Sequence, residues 1–103
     1  RVLPQIGLYC MSKAAVLHMT RAQALEWGRY GINVNAICPG YIRTEINAEH
    51  WDTEAGRKLI QMLPRRRVGE AADLDGTLLL LVAEESGFLN GAIITVDDGM
   101  SVT

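Results

Sequence analysis

A run of good helix formers, Ser12 to Arg29, is stopped at Gly31 and followed at once by a short segment of strand character, Ile32 to Cys38, which ends in Pro39-Gly40. Glycine just past the last helical residue is a common stop, because it takes left-handed backbone angles without steric cost. Ile32, Val34 and Ala36 alternate with Asn33 and Asn35 before the segment turns apolar at Ile37 and Cys38. The Pro-Gly pair then marks a turn, since proline cannot donate to a strand ladder. A second β-branched run, Ala92 to Val96, follows the turn signal Asn90-Gly91. A helix feeding straight into a strand, with another helical segment before the next strand, reads as an α/β chain with two strands and flanking helices.

The start of the long helix carries a chemical pair. Tyr9 and Lys13 are four residues apart, which on a helix puts phenol and ammonium on one face, a turn apart. A phenol titrates near pH 10 and is a poor proton-transfer group at neutral pH. A neighbouring cation favours the phenolate and brings it towards the range where general acid/base catalysis works. The bland alternative, a partly buried Tyr beside a solvated Lys, stands for this pair taken alone.

Composition excludes several classes. A chain of 103 residues is one domain at most. With 49% hydrophobic and 21% charged residues it reads as globular. A net charge of -2 leaves no footprint for nucleic acid or an anionic membrane. The short basic run Arg65-Arg66-Arg67 reads as solvated surface. The longest apolar run, Leu78 to Ala83, is too short to span a bilayer, and Arg1 to Pro4 lacks the apolar region of a secretory signal. Cys10 and Cys38 have no paired spacing and read as free thiols in a reducing cytoplasm. His18 and His50 are too isolated to suggest a metal site.

Taken in order, Tyr9-Cys10-Met11-Ser12-Lys13, then Asn35-Ala36-Ile37-Cys38-Pro39-Gly40, then Arg67-Val68-Gly69-Glu70 and finally Asn90 to Gly99 resemble the short-chain dehydrogenase/reductase family over the whole chain. The family signature is Tyr-x-x-x-Lys, a helix, and a strand ending in Asn-x-x-x-Pro-Gly. The resemblance implies the C-terminal part of a Rossmann-like, doubly wound parallel sheet, residues 1–103 lying within a single NAD(P)-binding domain. It also implies an NAD- or NADP-dependent oxidoreductase that moves a hydride between the nicotinamide and a ketone or secondary alcohol, of 3-oxoacyl-thioester or sugar/polyol type. Tyr9 would exchange a proton with the substrate oxygen. Lys13 would tune the phenol and bond the nicotinamide ribose. The Pro39-Gly40 turn would let the backbone approach the nicotinamide, the Ile42 amide would bond its carboxamide, and the Thr44 hydroxyl would reach the carboxamide or pyrophosphate. The family's Gly-rich fingerprint and its catalytic Ser and Asn would fall upstream of Arg1. The chain is therefore expected to be incomplete and inactive alone, and weakly folded or dependent on self-association. The alternative is a non-catalytic structural or oligomerisation piece.

The remaining elements follow from patterning. Arg1 to Gly7 reads as irregular loop. The long helix carries two apolar stripes, Ala15-Met19-Ala22-Leu25 and Cys10-Ala14-Leu17-Ala24, which suggests a sheet on one side and a neighbouring helix on another. The family resemblance implies a homo-oligomer through helix 12–29. Asp52 is expected to cap a helix from Thr53 to about Leu63, with Ala55, Leu59 and Met62 on its inner face and Pro64 ending it. Glu70 to Ala83 reads as a helix with Leu74, Leu78 and Leu81 inward; the family's usual first-turn proline is replaced by Ala71. Asp98 stands where the family usually has glycine, and the pair Asp97-Asp98 reads as a loop end, with a metal ligand set as the lesser reading.

Overall fold

A computed structural model describes residues 7–103, with side chains from Cys10 onward. The expected loop before Gly7 lies outside the described residues. The elements are α1 (Gly7–Trp27), β1 (Ala36–Pro39), α2 (Ala48–Trp51), α3 (Glu54–Gln61), α4 (Asp75–Val82) and β2 (Ile93–Val96), with short 3-10 turns between. The chain divides into two compact units: one runs up to Ile37 and adds Leu80–Ile94, the other is Cys38–Leu79 with Thr95–Thr103.

In the first unit α1 ends as its sequence predicts. A 3-10 turn over Gly28–Tyr30 closes on Gly31, whose φ of 76° is the left-handed stop. Among the described side chains of α1, Thr20 and Ala24 are the buried positions, and the Thr20 hydroxyl donates to the Val16 carbonyl one turn back. That satisfies the hydroxyl without an outside partner. The stripe expected at Ala15, Met19, Ala22 and Leu25 is exposed, Leu25 at 85%.

Ile32 to Asn35, expected as strand, are not. Asparagine side chains replace the ladder there. Asn33 Nδ2 donates to Gly87 O and Asn35 Nδ2 to Leu89 O, while Asn35 Oδ1 accepts from Ala92 N. Asn90 Oδ1 accepts from Val34 N and its Nδ2 donates to Ala24 O, joining α1 to both segments. Gly91, at φ 76°, completes the Asn90-Gly91 turn.

β1 and β2 form a two-stranded sheet. Ala36 N donates to Ala92 O and Gly40 N to Val96 O, the same sequence offset at both ends, as in parallel pairing. Parallel neighbours require a crossover, supplied by the chain between Gly40 and Ala92.

In the second unit the expected helix after Asp52 is two helices. Thr53, in extended conformation, caps α3: its hydroxyl accepts from Gly56 N at 3.0 Å. Asp52 instead closes α2, its N–H bonding back to Glu49 and His50. A hydroxyl at the residue that leaves helical geometry makes the better cap. Gly56 is buried where α2 and α3 meet; a Cβ there would collide with His50 O and lie 2.9 Å from Trp51 Cα. This rotates the inner face of α3 away from Ala55 and Met62, both exposed, to Gly56, Leu59, Ile60 and Leu63. Trp51 is 4% exposed and sits edge-on to Tyr41, with ring centroids 5.5 Å apart.

The helix expected from Glu70 begins as a 3-10 turn, Ala71–Leu74, and becomes α4. The missing proline is offset by a reciprocal cap: Asp73 Oδ2 accepts from Glu70 N at 2.7 Å while the Glu70 side chain accepts from Asp73 N. Leu74 and Leu81 are half-buried, whereas Leu78 is exposed.

Candidate active site

The residues singled out from the sequence fall in both units. Tyr9 and Lys13 both lie within α1, on the first unit, and the helical backbone places them a turn apart on one face. The Tyr9 side chain lies outside the described residues. Pro39, Gly40, Ile42 and Thr44 lie together on the second unit, in the stretch where β1 leaves the sheet.

That stretch is held by backbone pairing. Gly69 N donates to Tyr41 O at 2.8 Å and Arg43 N to Gly69 O at 2.7 Å, a parallel bridge centred on Ile42 and Gly69. Backbone groups alternate in direction along extended chain, so when Tyr41 and Arg43 face Gly69, the N–H and C=O of Ile42 face the other way. The Ile42 carbonyl accepts from Asn47 Nδ2 at 2.9 Å. Among the described residues, neither the Ile42 N–H nor the Thr44 hydroxyl has a protein partner. The loop thus presents one backbone donor and one hydroxyl that both donates and accepts, the complement of a primary carboxamide.

The glycine at Gly40 has a structural reason beyond a turn. An added Cβ would lie 2.8 Å from Asp97 Cβ and 2.9 Å from Asp97 Cα, so a side chain there would collide with the end of β2. Gly69 is similarly close to Ile42, whose Cδ1 would be 2.7 Å from its Cβ.

A cleft of ≈ 240 Å³ opens beside this loop, with Tyr41, Ile42, Leu63, Arg67, Asp97 and Met100 in its lining. Its charges are paired. Arg67 bonds Asp73 at 3.2 Å and approaches Asp98 at 3.6 Å, and Arg65 reaches Asp98 at 3.3 Å. The basic run lies at the solvated surface, as expected, and two of its three arginines, Arg65 and Arg67, are ion-paired there. The sequence could not reveal this, because Asp98 is remote in the chain and lies within reach only after β2 is in place. The backbone N–H of Glu70 and then the Arg67 guanidinium lower the Asp73 carboxyl from its ordinary range. Asp97 is also lowered, first by a hydrogen bond from the Ser101 side chain, then by the N–H groups of Ser101 and Gly99. Both Asp97 oxygens are thus occupied within the turn, which is the loop-end reading of Asp97-Asp98. Cys10 and Cys38 are free thiols, and among the described residues no helix is long and apolar enough to cross a membrane.

A family model described as enoyl-(acyl carrier protein) reductase matches residues 1–101. The chain belongs to the short-chain dehydrogenase/reductase family. It is 35% identical over 94 residues to an NAD-dependent glycerol dehydrogenase of Listeria innocua, covering 91% of this chain and 37% of that protein. It is 35% identical over 101 residues to gluconate 5-dehydrogenase of Gluconobacter oxydans, covering 97% of this chain and 40% of the other. Among solved structures, a gluconate 5-dehydrogenase from Burkholderia cenocepacia in complex with NADP and tartrate superposes with a TM-score of 0.89 at 33% identity, over 100% of this chain and 41% of that one. The chain thus spans about two fifths of the length of these relatives. The fold is that of part of a Rossmann-type dehydrogenase, two parallel strands with flanking helices, in a family of oxidoreductases that use NAD or NADP.

Proposed function

We propose that the protein carrying this chain transfers a hydride between NAD or NADP and a ketone or secondary alcohol, with polyols and sugar-derived substrates as the favoured class over 3-oxoacyl thioesters. The observation that carries the reading is the Ile42–Thr44 loop, whose unpaired amide and hydroxyl match a nicotinamide carboxamide, in a family whose relatives include glycerol and gluconate dehydrogenases. When bound, the nicotinamide would give the hydride to a ketone or take it from an alcohol. The chain's own residues do the rest. Tyr9 passes a proton to or from the substrate oxygen, and Lys13, a turn away on the same helical face, holds positive charge beside that phenol and bonds the cofactor ribose. The Ile42 N–H and the Thr44 hydroxyl orient the carboxamide, and the Pro39-Gly40 turn sets where they point. The cytoplasm is the proposed location, and a homo-oligomer through α1 the proposed assembly.

Replacing Tyr9 tests this directly. In the full-length protein, Tyr9→Phe removes one hydroxyl; turnover should fall roughly a hundredfold or more, the scale of a lost general acid/base, while reduced-cofactor binding, followed by nicotinamide fluorescence, stays within about threefold. Unchanged turnover would sink the assignment.

Self-association is a second reading, favoured by the apolar side chains that α1, α4 and the following turn leave in solvent. Leu25, Leu79, Val82 and Phe88 are 85%, 67%, 68% and 105% exposed. The two readings are compatible for a dehydrogenase subunit, and only loss of cofactor binding would leave the second alone.

A further inference from the structure

Asn47 sits at the N-cap of α2, a position where asparagine normally accepts a bond from the helix's own first-turn amides. It makes no such bond. Its side chain turns back instead. Oδ1 accepts from Thr44 N at 2.7 Å and Nδ2 donates to Ile42 O at 2.9 Å, while its own N–H bonds Thr44 O at 3.3 Å. One half-buried amide thus grips the residues on either side of Arg43. By engaging the Ile42 carbonyl and the Thr44 amide, it fixes the two peptide planes on either side of Arg43; the Tyr41–Ile42 peptide, which carries the Ile42 N–H, is held by the bond from Gly69 N to Tyr41 O, so the backbone from Ile42 to the Cα that bears the Thr44 hydroxyl is pinned.

We propose that Asn47 is a positioning residue for cofactor binding: its carboxamide holds the Ile42–Thr44 loop in the conformation that presents the Ile42 N–H and Thr44 hydroxyl to the nicotinamide carboxamide. This rests on the hydride-transfer reading above. An amide is required because the two partners differ in kind, one a donor and the other an acceptor, at neutral side-chain charge. A methyl at this position offers neither bond. A carboxylate keeps the bond from Thr44 N and sets a second oxygen against the Ile42 carbonyl. A protonated carboxyl restores both, and the facing carbonyl favours that protonated form.

The test uses the full-length protein and oxidised cofactor, which survives acid, with KM and kcat measured from mildly acidic to neutral pH. Contacts to the carboxamide persist through ground and transition states alike, so weakening them raises KM and spares kcat. Asn47→Ala should raise the cofactor KM roughly tenfold at every pH, the scale of one or two lost hydrogen bonds, with kcat within about threefold. Asn47→Asp should match it at neutral pH and recover towards wild type as the introduced carboxyl protonates. A cofactor KM within about twofold of wild type in Asn47→Ala overturns the proposal. So does an Asn47→Asp penalty that does not change with pH, or a failure of Asn47→Asp to fold, which would make the side chain a support of the fold and not of the loop. Should Asn47→Ala alone fail to fold, the pH profile of Asn47→Asp decides. Absence of saturable cofactor binding by the wild type would instead remove the hydride-transfer reading on which this rests.

Discussion

Asp98 is held at φ 55°, in the left-handed region, where the family usually has glycine. A non-glycine residue there costs about 1 kcal/mol, and the Arg65 and Arg67 pairs that offset it are 76% and 49% exposed on the arginine side. Such solvent-screened pairs contribute little to stability. Asp98→Gly loses the pairs and regains the backbone freedom, so its stability should lie within about 1 kcal/mol of wild type. Asp98→Ala loses the pairs and keeps the strain, and should be less stable than Asp98→Gly by about 1 kcal/mol. Denaturant melts of the two variants check this; equal midpoints would mean that the φ angle carries no cost. Asp73 and Asp97 are carboxylates whose folded-state titration is depressed. Their contribution is complete above the ordinary carboxylate range and is lost as pH falls below it through the folded values. Acid unfolding should therefore be steeper in wild type than in Asp73→Asn with Asp97→Asn, and identical acid limbs would count against these two turns as acid-labile points. At this scale the sequence singled out Tyr9, Lys13, Ile42 and Thr44 through motif and resemblance, and the roles given to them are proposals. It did not tell of Asn47 or the Arg67–Asp98 pair. Asn47 reads as a routine cap until its side chain is seen turning away from its helix, and Asp98 meets Arg67 only through the sheet.

The elements were legible where one local signal dominated. Gly31 stops α1 and Asn90-Gly91 turns into β2, each through a positive φ that glycine takes freely. They were misjudged where two signals competed. Alternation in Ile32–Asn35 matches a strand, but the side-chain amides of Asn33 and Asn35 take carbonyl and amide partners themselves, so the ladder starts at Ala36. Asp52 and Thr53 are both good caps, and only the extended backbone at Thr53 decides between them. The buried Gly56 had no sequence signal at all, since its requirement comes from α2 crossing it. Gly56→Ala improves helix propensity by about 1 kcal/mol, yet its Cβ would meet His50 O and Trp51 Cα. The clash should win, destabilising the protein by about 1–3 kcal/mol and changing the environment of Trp51. A more stable Gly56→Ala would mean that α2 and α3 separate freely.

At the scale of the whole molecule, motif order identified the family and the parallel α/β fold. Burial explains why the apolar stripes did not all point inward: Ala24, Trp51 and Val68 are the buried apolar residues among those described, while Leu25, Leu79 and Phe88 stand in solvent. Apolar surface on that scale is normally covered by protein. The 103-residue chain produced alone should therefore unfold with a midpoint that rises with protein concentration. A sharp transition independent of concentration would contradict dependence on association. The central claim concerns the full-length protein, and one measurement reaches it most directly: the decay of reduced-nicotinamide absorbance with NADH and with NADPH across a panel of ketoses and keto-sugar acids, followed by the reverse reaction with the matching alcohols. The account predicts saturable oxidation with at least one of these cofactors, and reversal with the alcohol of the same substrate. No turnover in either direction, with no cofactor bound, would contradict it.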